Sequence, residues 1–375
     1  MKYRKFGNSG VNISELGFGC MRFPELCDEN NNWYIEQDKV NEMIKYAYEH
    51  GVNYFDTAPY YCHSNSEKAL GTAVKDFRDK ILISTKCPVT DIKEVSDFRK
   101  ILNMQLERLQ TDHIDFYHFW ALNKDKYDNY VKKFDLINEA LKCKEEGLIR
   151  HVSFSFHDKV EVIKYIIDDG KIFDSMLVQY NLLNRDHEEM IKYAHDNGLG
   201  VTVMGPVAGG KLACPGEFAR KILNTSEGET YELALKFVLA NENVSCALSG
   251  MQNIDQVRKN IECVSNQTGL TEEELIQINK SLDHLTKLKD LYCTGCKYCI
   301  NCPKKIEIHK IFNAYIYHHV YGLKELAYDM YNDYLKSDSG QVSDCIECHL
   351  CESKCPQRIK IVEQLKHVDK VLRKE

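Results

Sequence analysis

Two short runs near the end of the chain hold eight of its sixteen cysteines: Cys293, Cys296, Cys299 and Cys302 in YCTGCKYCINCP, then Cys345, Cys348, Cys351 and Cys355 in CIECHLCESKCP. Cysteines at every third position let one tight loop place three thiolates on three corners of an iron-sulfur cubane, with a more distant cysteine before a proline as the fourth ligand. Both runs close on such a proline, Pro303 and Pro356. Tetrahedral zinc is the competing use of CxxC pairs. Zinc needs two such pairs per site, so paired four-cysteine runs with terminal prolines fit clusters better. When two clusters share such runs, the fourth cysteine of each run serves the other cluster. The expectation is therefore one [4Fe-4S] centre on Cys293, Cys296, Cys299 and Cys355, and a second on Cys345, Cys348, Cys351 and Cys302. The other eight cysteines, Cys20, Cys27, Cys62, Cys87, Cys143, Cys214, Cys246 and Cys263, lack ligand spacing and read mainly as small buried apolar residues.

A second constellation lies in the first quarter of the chain. YFDTAPYY supplies Asp56 and, five residues on, Tyr61; ISTK supplies Lys86. Reduction of a carbonyl by hydride requires a proton donor at the nascent alkoxide, and a tyrosine near pKa 10 is a weak acid at neutral pH. An ammonium beside it favours the phenolate, and an aspartate holds that ammonium in place. The three residues meet only if neighbouring strand ends are brought together.

The surrounding pattern does that. From about residue 15 to 265, short β-branched runs alternate with amphipathic helical stretches. Eight strands are predicted, in SELGFG, NYFD, KILISTK, HIDFYHFW, IRHVSFS, SMLVQYN, GVTVMG and SCALSG. Gly51, Gly147, Gly170 and Gly198 stand where helices should stop in the left-handed conformation. Eight βα units joined by right-handed crossovers close most simply as an α/β fold of the (β/α)8 TIM barrel type, with its chemistry at the carboxyl ends of the strands. GFGCMR after the first strand does not fit the glycine fingerprint of a doubly wound sheet. A capping box, Thr271 with Glu274, opens a helix at the end of the barrel pattern. The expected division is a barrel over 1–270, a linking helix over 271–290 and a small α-helical ferredoxin-like domain over 291–375. Within it, the tyrosine-rich helix from His309 is expected to pack its aromatic face against the barrel.

DTAPYY, ISTK, IRHVSFS and VQYN, one per strand and in this order, resemble the aldo/keto reductase superfamily; with the cysteine runs, the chain resembles that superfamily's iron-sulfur subgroup. The resemblance implies Asp56, Tyr61 as general acid and Lys86 as catalytic residues. It implies Ser155 and Gln179 at the nicotinamide carboxamide and SGMQNIDQVRKN at the adenosine phosphate, so that Met21, Ser155, Gln179, Met204, Ser249, Gly250, Gln256 and Asn260 form the NAD(P)H site. The family's fourth-strand histidine is replaced by Trp120, with His118 two residues earlier and about 6.6 Å back along the strand at ~3.3 Å per residue. His118 can serve only if a bulge shifts the register; His157 and His63 are further candidates. Phe156, Met204, Gly250 and Gln256 also depart from the family pattern, which puts NADP preference in question.

With 49 basic and 56 acidic residues, the chain lacks the positive field of a general nucleic-acid binder. No apolar run is long enough to span a membrane and the N-terminus has no signal-peptide core, so a cytoplasmic protein without a membrane partner is expected. The implied activity is an oxidoreductase acting on a small-molecule carbonyl or alcohol. Hydride transfer moves two electrons together, whereas a cluster normally passes one. Either the clusters are structural, or the barrel accepts a different redox cofactor such as a flavin, or the substrate tolerates single-electron steps; a ferredoxin or flavodoxin is the candidate electron partner. The alternative class is an electron-transfer or redox-sensing protein built on a reductase-like barrel.

Overall fold

The computed structural model describes residues 1–182, 184–208, 212, 230–266, 269–286, 293, 299, 301–319, 324–355 and 359–373. Cys214 and Cys296 lie outside the described residues.

All eight predicted strands form. They are β1 (Leu16–Gly19), β2 (Tyr54–Asp56), β3 (Leu82–Cys87), β4 (Ile114–Leu122), β5 (Ile149–Phe156), β6 (Ser175–Gln179), β7 (Gly200–Met204) and β8 (Cys246–Gly250). They close a parallel barrel in sequential order, with β8 hydrogen-bonded to β1. Strands buried on both faces explain the continuous apolar runs in the sequence. The outer layer contains α1 (Gln37–Glu49), α2 (Ser66–Val74), α3 (Val95–Leu109), α4 (Leu136–Glu145), α5 (Val160–Gly170), α6 (Glu188–Asp196), α7 (Thr230–Ala240) and α8 (Ile254–Asn266). Apart from α7, which exposes no residue, they are amphipathic; α5, for example, buries Val162, Ile163, Ile166 and Ile167, each worth roughly 1.5–3 kcal/mol relative to exposure.

Two features were not legible in the pattern. An N-terminal hairpin, Tyr3–Lys5 with Asn12–Ser14, carries Phe6 into the barrel beside Ile13, Tyr54, Phe116, Leu177, Cys246 and Leu248. This apolar plug fills the amino-terminal end of the barrel and leaves the chemistry to the other end. A second hairpin, Glu25–Cys27 with Trp33–Ile35, follows β1.

Helix ends follow the expected signals except at one glycine. Gly51, Gly147 and Gly198 take positive φ, at 90°, 82° and 82°. Gly170 does not: it stays helical and Lys171 takes the left-handed position at φ 50°. A Cβ at Gly170 would lie 2.5 Å from the Phe173 ring, so close approach, not φ, requires glycine there.

The chain divides into two compact units, one of 1–210 and 234–270, the other of 211–233 and 271–375. In the second, Thr271 and Glu274 form the expected capping box: the Glu274 N–H donates to Thr271 Oγ1 at 3.2 Å and the Thr271 N–H donates to Glu274 Oε2 at 2.8 Å. They open α9 (Glu272–Thr286), followed by α10 (Ile308–His319), α11 (Lys324–Leu335) and α12 (Ile361–Leu372). Tyr315, Tyr331 and Tyr334 are spent on this unit's own core, with Ile308, Phe312 and Leu365. Their hydroxyls are satisfied locally: Tyr315 Oη lies 3.0 Å from His367 Nε2, and Tyr331 donates to Asp369.

Candidate active site and cysteine cavity

Strand pairing creates the site. In register, β1, β2 and β3 align Gly19 with Asp56 and Asp56 with Ser84, which leaves Lys86 one side-chain repeat further toward the carboxyl end of β3. Lys86 and Asp56 are 1% and 3% exposed. Lys86 Nζ donates to Asp56 Oδ1 at 2.6 Å and to the Thr57 carbonyl at 2.6 Å. The second carboxylate oxygen accepts from Ser84 Oγ at 2.7 Å. Nζ also lies 4.7 Å from the centroid of the Tyr61 ring.

Electrostatics follow from this geometry. Burial alone would lower the Lys86 pKa, but the charge of Asp56, the Tyr61 phenol and its hydrogen bonds raise it above the ordinary lysine value, so the ammonium persists. Burial raises the Tyr61 pKa, opposed by Lys86, and the net direction is up. Tyr61 therefore remains a protonated phenol through neutral pH, with a cation beside it to accept the developing phenolate.

A rigid base holds this group. The Thr85 hydroxyl donates to Glu67 Oε1 at 2.6 Å; Gln105 Nε2 donates to the same oxygen at 2.8 Å and to the Lys86 carbonyl at 3.0 Å. These bonds tie α2 and α3 to the end of β3. Immediately after Tyr61, Cys62, His63 and Ser64 all have positive φ, at 51°, 49° and 69°. A run of three non-glycine residues in this region is strained.

The fourth strand does not lift His118. It sits in the regular ladder opposite Lys86 and Ser153, and the register shift comes later, between Phe119 and Leu122. His118 is fully buried with Nε2 3.5 Å from Tyr54 Oη, and burial pushes its pKa down to about 4. At the shift, Ala121 takes φ 52° and its N–H donates to Ser155 Oγ at 2.7 Å. Trp120 is half-buried beside the tyrosines: its ring is 6.1 Å from that of Tyr61, edge-on at 86°, and 5.4 Å from that of Tyr60. Tyr60 donates to Asp91, and that bond pushes its pKa up to about 12. His63 instead faces Glu25 at 3.0 Å and stacks on Trp33 at 4.2 Å, while His157 is exposed at the rim.

The residues expected at a nicotinamide cofactor fall on one arc of adjacent strand ends, from β5 through β8 to β1. Ser155 is on β5, Gln179 ends β6 and pairs in register with Met204 on β7, and Ser249 and Gly250 end β8. Asn260 Nδ2 donates to Ser249 Oγ at 2.8 Å. Gln256 turns back on its own loop, accepting from the Gln252 N–H at 2.8 Å. Met21 follows β1 and is 52% exposed. Gly250 lies against Arg22, which stands 3.2 Å from where a Cβ would be. This arc of small and amide side chains fits a dinucleotide laid across the strand ends. Ser84 and Tyr60 were the residues that sequence reasoning missed; Tyr60, adjacent to Tyr61 in DTAPYY, carried a local signal and Ser84 did not.

In the second unit, Cys299, Cys302, Cys345, Cys348 and Cys351 line one cavity with Ile306, Ile308, Val362 and Leu365. None of the described cysteines forms a disulfide. Cys302 thus shares a cavity with three cysteines of the other run, while Cys355 is absent from its lining. Five thiols lining one apolar cavity have the donor chemistry a cluster takes, but among the described residues no three of them are grouped closely enough to hold one metal ion.

Comparison with known proteins agrees with both halves. Residues 15–283 match the model of the aldo/keto reductase family. The chain belongs to the aldo/keto reductase family. This reductase carries in addition a match to the 4Fe-4S dicluster domain over residues 292–360. It is similar to an uncharacterized oxidoreductase of Bacillus subtilis, 28% identical over 325 residues that cover 78% of this chain and 98% of the relative. It is also similar to L-galactose dehydrogenase of Arabidopsis thaliana, 28% identical over 318 residues that cover 77% and 96%. Among solved structures, the holo form of an aldo-keto reductase from Bacillus halodurans aligns with a TM-score of 0.64 at 30% identity, covering 75% and 96%. The reductase is thus an oxidoreductase with a TIM barrel and an iron-sulfur domain. Among the described residues no helix is long and apolar enough to cross a membrane.

Proposed function

We propose that the barrel reduces a small-molecule carbonyl, or oxidises the corresponding alcohol, with Tyr61 as general acid. The observation that carries this reading is the buried Lys86 ammonium, locked to Asp56 at 2.6 Å and poised 4.7 Å from the Tyr61 ring. A nicotinamide held along the β5–β1 arc would, when bound, supply the hydride chemistry. Tyr61 gives its phenolic proton to the carbonyl oxygen, Lys86 stabilises the phenolate left behind, and solvent returns the proton. Asp56 keeps Lys86 charged and fixed. Gln179 and Ser155 would orient the carboxamide, and Met21, Met204, Ser249, Gly250, Gln256 and Asn260 would complete the cofactor wall. Trp120 shapes the substrate side, and His118, neutral and buried, supports the barrel interior without a share in proton transfer.

The two cysteine runs would hold two [4Fe-4S] clusters, with Cys302 serving the cluster of the second run and Cys355 that of the first. These clusters would exchange single electrons with a ferredoxin or flavodoxin. The test is a Tyr61→Phe variant, assayed anaerobically for NADH or NADPH oxidation with a panel of aldehydes and ketones. Turnover should fall by about two to four orders of magnitude with cofactor binding retained; unchanged turnover would refute the general-acid role.

A second reading, electron transfer or redox sensing on a reductase-like barrel with a flavin in place of the nicotinamide, is favoured by one observation. An indole, which cannot titrate, lies edge-on to Tyr61. Wild-type protein that oxidises nicotinamide only with cluster bleaching, and never with carbonyl turnover, would select it.

A further inference from the structure

We propose that the compound reduced in the barrel carries an oxyanion, a carboxylate or a phosphate, and that Lys126, His157 and His187 form the subsite that holds it. The inference rests on the carbonyl-reduction reading above and names the class of its substrate.

Three neighbouring strand ends assemble this subsite. β4 and β5 stay paired to Leu122 and Phe156, and the His157 N–H donates to the Leu122 carbonyl at 2.9 Å. Just beyond, the Lys124 N–H donates to Asp158 Oδ2 at 2.8 Å, and the Asn123 side chain caps the turn that carries Lys126, accepting from its N–H at 2.7 Å. The loops after β4 and β5 are thus tied together, which keeps Lys126 and His157 on one stretch of the barrel mouth. His187 completes the group from β6: its ring stands edge-on to Phe156 at 5.7 Å, and Nδ1 donates to the Gln179 carbonyl at 3.2 Å.

All three side chains have hydrogen-bonding capacity unfilled. Lys126 is half-buried, and among the described residues its ammonium has neither an ion pair nor a hydrogen bond. Its neighbours show the contrast, since Lys124 pairs with Asp128 and Lys132 with Asp169. Burial lowers the Lys126 pKa, and no carboxylate acts against it. A partly buried ammonium without a counter-ion is destabilising, and an incoming oxyanion relieves it. With Nδ1 engaged by Gln179, His187 keeps Nε2 buried without a partner among the described residues; protonated, that atom donates to an anion. Burial first, then Lys126, His187 and Lys86, hold the His157 pKa below the ordinary 6.5. Each of those groups is cationic or becomes so on protonation.

Carboxylates of the same loops keep their charge, so the subsite is a set of local donors and not a basic field. Asp125 accepts from Asn129 Nδ2 at 2.7 Å, Asp128 from Tyr165 Oη at 2.7 Å and Glu188 from Tyr180 Oη at 3.2 Å. Asp158 also accepts from the Lys159 N–H at 2.8 Å, and Asp186 and Glu189 are exposed. None of these is among the charges that act on Lys126 or His157. Contact, not long-range attraction, selects the anion. In the cofactor arrangement above, the phosphates of a dinucleotide belong to the far end of the arc at β8, which leaves this group to the substrate. A compound with its carbonyl at Tyr61 passes the Trp120 indole on β4 and presents its anion to the loop that follows.

The experiment uses anaerobically reconstituted full-length protein with NADH or NADPH and two matched pairs, succinic semialdehyde against butanal and glyceraldehyde 3-phosphate against glyceraldehyde. In at least one pair kcat/KM should favour the anionic member by about tenfold or more, as a charge-assisted hydrogen bond allows; the pair with the larger ratio tells carboxylate from phosphate. Lys126→Met should remove most of that preference and Lys126→Arg should restore it, whereas Lys133→Met, on the same segment, should match wild type. Unchanged thermal midpoints exclude loss of fold as the cause. The subsite is refuted if wild type prefers neither anion, if the preference survives Lys126→Met, or if Lys126→Met weakens nicotinamide binding instead. If no carbonyl is turned over, the reduction reading fails, and isothermal titration of the two anionic aldehydes decides the subsite by itself: binding that is lost in Lys126→Met supports it, and binding that is absent or insensitive to Lys126 overturns it.

Discussion

Replacing Lys86 by methionine separates the chemical from the structural role of the buried triad. Methionine keeps the length of the side chain and removes the charge. Asp56 then retains only the Ser84 hydroxyl at 2.7 Å, and the Thr57 carbonyl loses its donor. Removing one partner from a pair buried to this degree costs about 3–5 kcal/mol. Converting the other partner as well, in Asp56→Asn/Lys86→Met, leaves no uncompensated charge and should recover about 1–3 kcal/mol of that loss. The catalytic loss should not recover. Lys86 is the one group that draws the Tyr61 pKa down against its burial, and without it proton donation should slow by about two to four orders of magnitude. Urea midpoints and anaerobic turnover on the single and double variants make the comparison. Because the folded Lys86 pKa lies above the ordinary 10.5, its contribution to stability is whole below pH 10.5 and is lost as the pH climbs through the raised value. The deficit of the single variant should accordingly close only in strong alkali. Recovery of turnover together with stability in the double variant would refute the chemical role of Lys86; a single-variant deficit under about 1 kcal/mol would refute the buried pair.

The remaining predictions are shorter. His118, held near pKa 4 against an ordinary 6.5, contributes stability that is present above pH 6.5 and lost as the pH falls through about 4, on the order of 3 kcal/mol; a stability profile flat from pH 7 to 3 would contradict its burial. Turnover should show no histidine limb between pH 5 and 8, and Trp120→His should introduce one. Cys302→Ser/Cys348→Ser should lose no more iron than either single variant, whereas Cys302→Ser/Cys355→Ser should lose both clusters; equal losses in the two pairs would overturn the crossed assignment.

The barrel was legible because its strands are buried on both faces and its helices on one, so period and burial coincide. The two hairpins were not, since strands of three half-polar residues leave no period to read. At the site, Asp56, Tyr61 and Lys86 could be named from motif order, but the Ser84 anchor depends on the register of β2 against β3, which the chain does not display locally. Gly170 shows the same limit in reverse: its identity was readable, yet the reason for it, a ring three residues on, was not. Trp120 was visible as a departure, and only the backbone shift after Phe119 places it edge-on to Tyr61.

The left-handed run from Cys62 to Ser64 has a consequence for how this chain could be improved or degraded. Glycine at any of those positions would relieve backbone strain of about 1 kcal/mol or more. A screen for heat resistance should therefore favour it, while Tyr61 loses the stiff segment that aims it. Selection for durability and selection for turnover pull these three residues in opposite directions, and the unrelieved strain records which of the two has prevailed.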